Sequence, residues 1–115
     1  MTSLVSVVES PLYLARAERL MSEAERGHVI DVIAADPMAG VHIKGMSGVR
    51  KMRIPLQGRG KRGGGRVVYW FHSFDYPAVL MLVFAKNEAA DLTGEERKRI
   101  VSLSAMLIGQ LEGER

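Results

Sequence analysis

The sequence has no cysteine in its 115 residues, which excludes a disulfide framework, a thiolate nucleophile and any cysteine-bearing zinc site. Its three histidines, His28, His42 and His72, are too widely spaced to read as a ligand set, so neither a structural metal nor a cofactor is expected. Long hydrophobic runs are also missing. The stretch VLMLVFA, residues 79–85, falls far short of the ~18 consecutive apolar residues of a membrane span and reads as core. The opening segment MTSLVSVVESP lacks a basic region and its apolar run ends at Glu9, unlike a secretory signal, so a cytosolic protein is expected.

The most informative absence is of negative charge. From Pro37 through Phe74 there is no Asp or Glu, against Lys44, Arg50, Lys51, Arg53, Arg59, Lys61, Arg62 and Arg66. A formal net charge of only +3 therefore conceals a strongly basic block beside an acidic remainder. Charge segregated in this way gives one positive surface, and nucleic acid is the commonest polyanion to meet it. An anionic membrane fits less well, because the block has neither a helical apolar face nor a hydrophobic anchor. Its densest part is GRGKRGGGR, residues 58–66.

At this length the chain forms a single domain, 1–115, with one modest core. LVSVV, 4–8, reads as a first strand. Ser10-Pro11 gives an N-cap with proline at the first helical position, starting a helix through LYLARAERLM. Ser22 and Glu25 form a capping box that opens a second helix over 23–35, and Asp36-Pro37 stops it. Strands follow. GVRKMRIP, 48–55, alternates, with Arg50, Met52 and Ile54 on one face and Lys51 and Arg53 on the other. RVVYWFH, 66–72, and VLMLVFAK, 79–86, are strands separated by the turn FDYPA. Thr93 and Glu96 make another capping box before a final helix striped by Ile100, Leu103, Leu107 and Leu111, which Gly113 closes. The order β-α-α-β-β-β-α gives an α+β fold, a small antiparallel meander with two N-terminal helices and a C-terminal helix expected to cover one face.

Three phosphate-binding patterns fail on context. Gly58, Gly60 and Gly63 match the dinucleotide fingerprint, but a strand follows where that motif needs a helix. Gly60-Lys61-Arg62-Gly63 matches the GXXG clamp of KH domains, which joins helices, not strands. Gly60-Lys61 lacks the Ser or Thr of a P-loop.

The candidate site is a convergence of cations. Lys51 and Arg53 share a strand face, Arg66 begins the next strand just after Lys61 and Arg62, and Lys86 ends the third. A meander can bring these within ~5–10 Å of one another across the ladder. The expectation is one carboxylate-free pocket fit for a phosphodiester. Tyr69 and Trp70 read as packing, and His42 and His72 as bystanders.

Several words in this chain resemble the RelE/HigB superfamily of bacterial toxins. They are Gly48-Val49-Arg50-Lys51-Met52-Arg53, Gly60-Lys61-Arg62-Gly63-Gly64, Arg66-Val67-Val68-Tyr69, Lys86-Asn87-Glu88 and Asp91-Leu92-Thr93. The similarity is greatest to the HigB-like branch and covers roughly 38–100. It implies a RelE-like fold and a metal-independent, ribosome-dependent endoribonuclease, the toxin of a type II toxin–antitoxin system. The implied partners are the ribosome, its messenger RNA and an antitoxin of helix-turn-helix type. The reaction is attack of a 2′-hydroxyl on the adjacent phosphate.

For that chemistry the candidate catalytic residues are Lys51, Arg53, Lys61, Arg66 and Lys86. Lys51 or Lys61, with its pKa lowered by neighbouring cations, takes the 2′-hydroxyl proton. Arg53 and Arg66 stabilise the phosphorane charge. Lys86 serves the leaving oxygen, as the resemblance implies. Arg50, Arg59 and Arg62 are expected to hold RNA through salt-sensitive backbone contacts. No Phe, Tyr, Trp or His follows residue 86, which excludes a C-terminal histidine–tyrosine pair. Two other readings compete: a non-catalytic nucleic-acid-binding module, and a degenerate toxin-like protein kept for its antitoxin and operon regulation.

Overall fold

A computed structural model describes residues 4–56 and 64–113. The elements run β1 (Val7–Glu9), α1 (Pro11–Leu20), α2 (Glu23–Ala35), β2 (Val41–His42), β3 (Val49–Ile54), β4 (Gly65–Trp70), β5 (Ala78–Ala85) and α3 (Gly94–Gly113). The three helix starts follow from their caps. Ser10 Oγ accepts the Tyr13 N–H at 3.2 Å, with Pro11 pre-set for the first turn. Ser22 and Glu25 cap α2 reciprocally at 3.1 and 2.9 Å, and Thr93 and Glu96 do the same for α3 at 3.1 and 2.9 Å.

The sheet order is β1-β5-β4-β3-β2. β3, β4 and β5 form the expected antiparallel meander, and two short strands extend it. β1 lies parallel to β5, pairing Val7 with Ala78, and starts later than the expected 4–8. β2, which pairs Val41 with Lys51 at the other edge, was not expected; two residues are too few to display an alternation.

The helices do not share one face of the sheet. Tyr13, Ala17 and Leu20 of α1 and Val29 and Ile33 of α2 pack with Ile54, Val67, Tyr69 and Leu80. Ile100 of α3 packs on the opposite side with Val49, Val68, Trp70 and Met81, helped by half-buried Leu103, Leu107 and Leu111. The reason lies in β5, all eight of whose residues are buried. A strand that is apolar at every position needs cover on both faces, so its helices divide.

β5 also carries an irregularity. Val68 pairs with Leu82 but Tyr69 pairs with Leu80, which leaves Met81 without a partner on β4. Met81 and Leu82 both join the core on the α3 side, breaking the strict alternation of the strand.

Candidate functional site

β3 splits its cations by parity, as its sequence predicted. Val49, on the same face as Lys51 and Arg53, packs in the α3-side core, while Met52 and Ile54 pack with the α1–α2 core. In register, Arg53 lies opposite Arg66, and Lys51 lies opposite Val68. Arg66 in turn pairs with Phe84, two residues before Lys86. Backbone closes this corner: the Lys86 N–H donates to the Gly64 carbonyl at 2.9 Å. Gly64 has φ +63°, and a Cβ there would lie 2.3 Å from the Ile54 carbonyl oxygen, so glycine is required where β4 begins.

The result is a cleft of about 620 Å³ lined by Lys51, Arg53, Arg66 and Lys86, with Ala39 and Val41 on its wall. Four expected catalytic residues, three from β3 and β4 and one just past the end of β5, therefore meet in one place. The fifth, Lys61, and the expected RNA contacts Arg59 and Arg62 lie outside the described residues.

The cleft departs from expectation in its charge. No carboxylate is among its described lining residues, but one of them has an acidic partner: Asp91, in the connection from β5 to α3, lies 3.5 Å from Lys51 Nζ. Asp91 Oδ1 accepts the Leu92 N–H at 2.8 Å, and Oδ2 faces Arg97 Nη2 at 3.4 Å. The Leu92 hydrogen bond, with the Lys51 and Arg97 charges, holds the Asp91 carboxyl below its usual range against a desolvation penalty. Lys51 thus has an acidic neighbour and does not sit among cations alone. Lys86 is also engaged, its Nζ donating to the Ala90 carbonyl at 3.0 Å. Arg66 Nη1 bonds the adjacent Gly65 carbonyl at 2.9 Å. Among the described residues no carboxylate pairs with Arg53 or Arg66. Facing guanidinium groups repel, and an anion between them would relieve that cost.

Arg50, expected among the RNA contacts, occupies the other face of β3. It donates from Nη1 to the carbonyls of Gly40 at 2.7 Å and Met38 at 3.3 Å, which ties it to the segment before β2. Tyr69 holds the same segment. Its hydroxyl accepts the Gly40 N–H at 2.8 Å and donates to the Pro37 carbonyl at 2.7 Å. Burial raises the Tyr69 pKa, against the Gly40 hydrogen bond and the nearby Arg50 charge, so the phenol stays protonated and able to donate. A Cβ on Gly40 would meet this ring at 2.8 Å, so the close approach demands glycine. Ala39 and Val41, which wall the cleft, are set from behind by Arg50 and Tyr69.

Sequence reading missed Asp91 and this strap. Asp91 stands outside the carboxylate-free block; it enters only within the word Asp91-Leu92-Thr93, which gives it no role in the site. Tyr69 and Trp70 are buried, as expected, and His72 stacks on Trp70 with ring centroids 5.8 Å apart. Among the described residues no group of three or more His, Asp or Glu is arranged to hold a metal ion. No described helix is long and apolar enough to cross a membrane.

No family model matches the sequence. Among solved structures, the chain is similar to a double arginine-to-alanine mutant of the E. coli toxin RelE in the free state. The TM-score is 0.58 at 14% identity, over 86% of this chain and 96% of that one. The likeness shows a RelE-like α+β fold.

Proposed function

We propose that this chain is the toxin of a toxin–antitoxin pair, an endoribonuclease that cuts messenger RNA on the ribosome. The observation that carries the reading is the cleft in which Lys51, Arg53, Arg66 and Lys86 converge on a fold similar to RelE. The sequence words shared with the HigB-like branch support placement there, with an antitoxin of helix-turn-helix type as partner.

In this reading a bent phosphodiester lies between Arg53 and Arg66. The 2′-hydroxyl attacks the adjacent phosphorus, the bond to the 5′-oxygen breaks, and the products are a 2′,3′-cyclic phosphate and a 5′-hydroxyl. Charge gathers on the phosphorane oxygens, and two guanidinium groups fixed on neighbouring strands are suited to receive it. Lys86 serves the departing 5′-oxygen as cation or proton donor. Lys51, held as an ammonium beside Asp91, adds to the stabilisation of the phosphorane charge, and of the two candidate bases Lys61 accepts the 2′-hydroxyl proton.

The test is mapping of cleavage ends on ribosome-bound transcripts. Internal cuts bearing 2′,3′-cyclic phosphate are expected, with loss of cutting in Arg66→Ala and Lys86→Ala and relief of growth arrest in cells. Full toxicity in both variants refutes the site. A second reading, a non-catalytic RNA-binding module, draws on the internal partners of Lys51 and Lys86; it expects a gel shift with RNA while ribosome-bound message stays intact.

A further inference from the structure

Both lysines of the cleft are held by the same two-residue stretch, and both arginines are left out of it. Lys86 Nζ reaches the Ala90 carbonyl at 3.0 Å, and Lys51 Nζ faces the Asp91 carboxylate at 3.5 Å. We infer that Asp91 is a positioning residue, which holds the Lys51 ammonium at the α3 side of the cleft in the orientation it needs towards the phosphodiester. This rests on the nuclease reading above and assigns it a residue that touches no substrate.

The argument begins with the lysine itself. A lysine side chain is flexible, and Arg53 on the same strand face with Arg66 opposite push its charge away from the cleft and towards solvent. A fixed anion is needed to hold it. Asp91 is fixed, with one oxygen bonded to the Leu92 N–H at 2.8 Å and the other facing Arg97, in the second turn of α3, at 3.4 Å. The carboxylate is thus braced by two groups that do not line the cleft and turned to a third that does. The pair is too exposed to matter for folding: the side chains of Lys51 and Asp91 are 35% and 48% accessible, and such pairs add little stability. What remains for it is orientation.

Charge gives the test its sign. Removing a carboxylate beside a cationic cleft cannot weaken the binding of a polyanion by electrostatics, so loss of turnover without loss of affinity identifies positioning. Asp91→Asn is expected to bind a labelled single-stranded RNA at least as tightly as wild type. It is also expected to cleave ribosome-bound message roughly tenfold or more slowly, because a misplaced reacting group is costly. In a Lys51→Ala background Asp91→Asn should have no further effect, since both changes remove the same function. The ¹⁵N-detected Lys51 ammonium signal should show the contact in wild type and its loss in Asp91→Asn, a readout that needs no turnover. Equal or faster cleavage by Asp91→Asn, losses that add in the double variant, or an unchanged ammonium signal each overturn the inference. A wild-type chain that leaves ribosome-bound message intact overturns the nuclease reading first, an outcome distinct from an active wild type matched by Asp91→Asn.

Discussion

Two buried tyrosines should respond oppositely to the same substitution. Tyr69→Phe keeps the ring in the core but strips the Gly40 N–H of its acceptor and the Pro37 carbonyl of its donor, bonds of 2.8 and 2.7 Å. Both residues are buried, and a buried polar group left unpaired costs about 1–3 kcal/mol. Exposed Met38 and Ala39 between them let water recover part of that, so a net loss of about 2 kcal/mol is expected. With an unfolding entropy of about 2.1 cal/mol/K per residue, this lowers Tm by roughly 8 °C. Tyr13 is as deeply buried, yet its hydroxyl has no hydrogen-bond partner among the described residues. Burial, with the Glu9 charge, raises its pKa, so the hydroxyl is carried neutral into the core. Tyr13→Phe removes a desolvated hydroxyl and should be neutral or stabilising by up to about 1 kcal/mol. Urea unfolding of both variants checks this, with the midpoint shifting and the slope unchanged. Equal effects of the two substitutions would refute the hydrogen-bond reasoning and remove the basis for a fixed cleft wall.

Arg66→Ala should hold or raise stability by about 0.2–1 kcal/mol, because it removes a like charge opposite Arg53. The same change should lower RNA affinity and reduce the slope of log affinity against log salt by about 0.7, which salt-titrated binding measures. Gly40→Ala should cost about 1–3 kcal/mol by overpacking, since its Cβ would sit 2.8 Å from the Tyr69 ring; thermal melts check it, and Tyr69→Leu in the same chain should recover part of the loss. Burial opposes ionisation of Glu96, but its bonds to Thr93 and Arg16 outweigh that and hold its carboxyl below the usual range. Asp91 is lowered as well. A depressed carboxyl stabilises the fold above its unfolded value near pH 4, and that contribution is lost as pH falls through the folded value. Glu96→Gln should therefore flatten the acid limb of a stability–pH curve below about pH 4, and an unchanged limb would count against these bonds.

The helices were legible in the sequence because each start is written locally. Ser10-Pro11, Ser22 with Glu25, and Thr93 with Glu96 fixed three boundaries, and the structure shows all three caps. The faces of β3 were legible for the same reason, since alternation is a property of neighbours. The two-sided burial of the sheet was less visible. It depends on the continuous apolar character of β5, which a short run leaves undecided between sheet and helix packing. The convergence of Lys51, Arg53, Arg66 and Lys86 could be foreseen from strand order, whereas Asp91 could not. Its carboxylate reaches Lys51 across forty positions of sequence, through the placement of α3 against β3. Arg50 was not legible in the same way: its charge matches its neighbours, but its face of the strand turns it to backbone carbonyls.

The unpaired Met81 decides which side of the sheet Lys86 comes out on. Counted at strict alternation from Ala78, position 86 would fall beside Leu80 under α1 and α2, away from Arg66. The single surplus residue shifts the count by one, so Phe84 and then Lys86 emerge on the α3 side. One residue of slack in an otherwise apolar strand thus completes the quartet of cations.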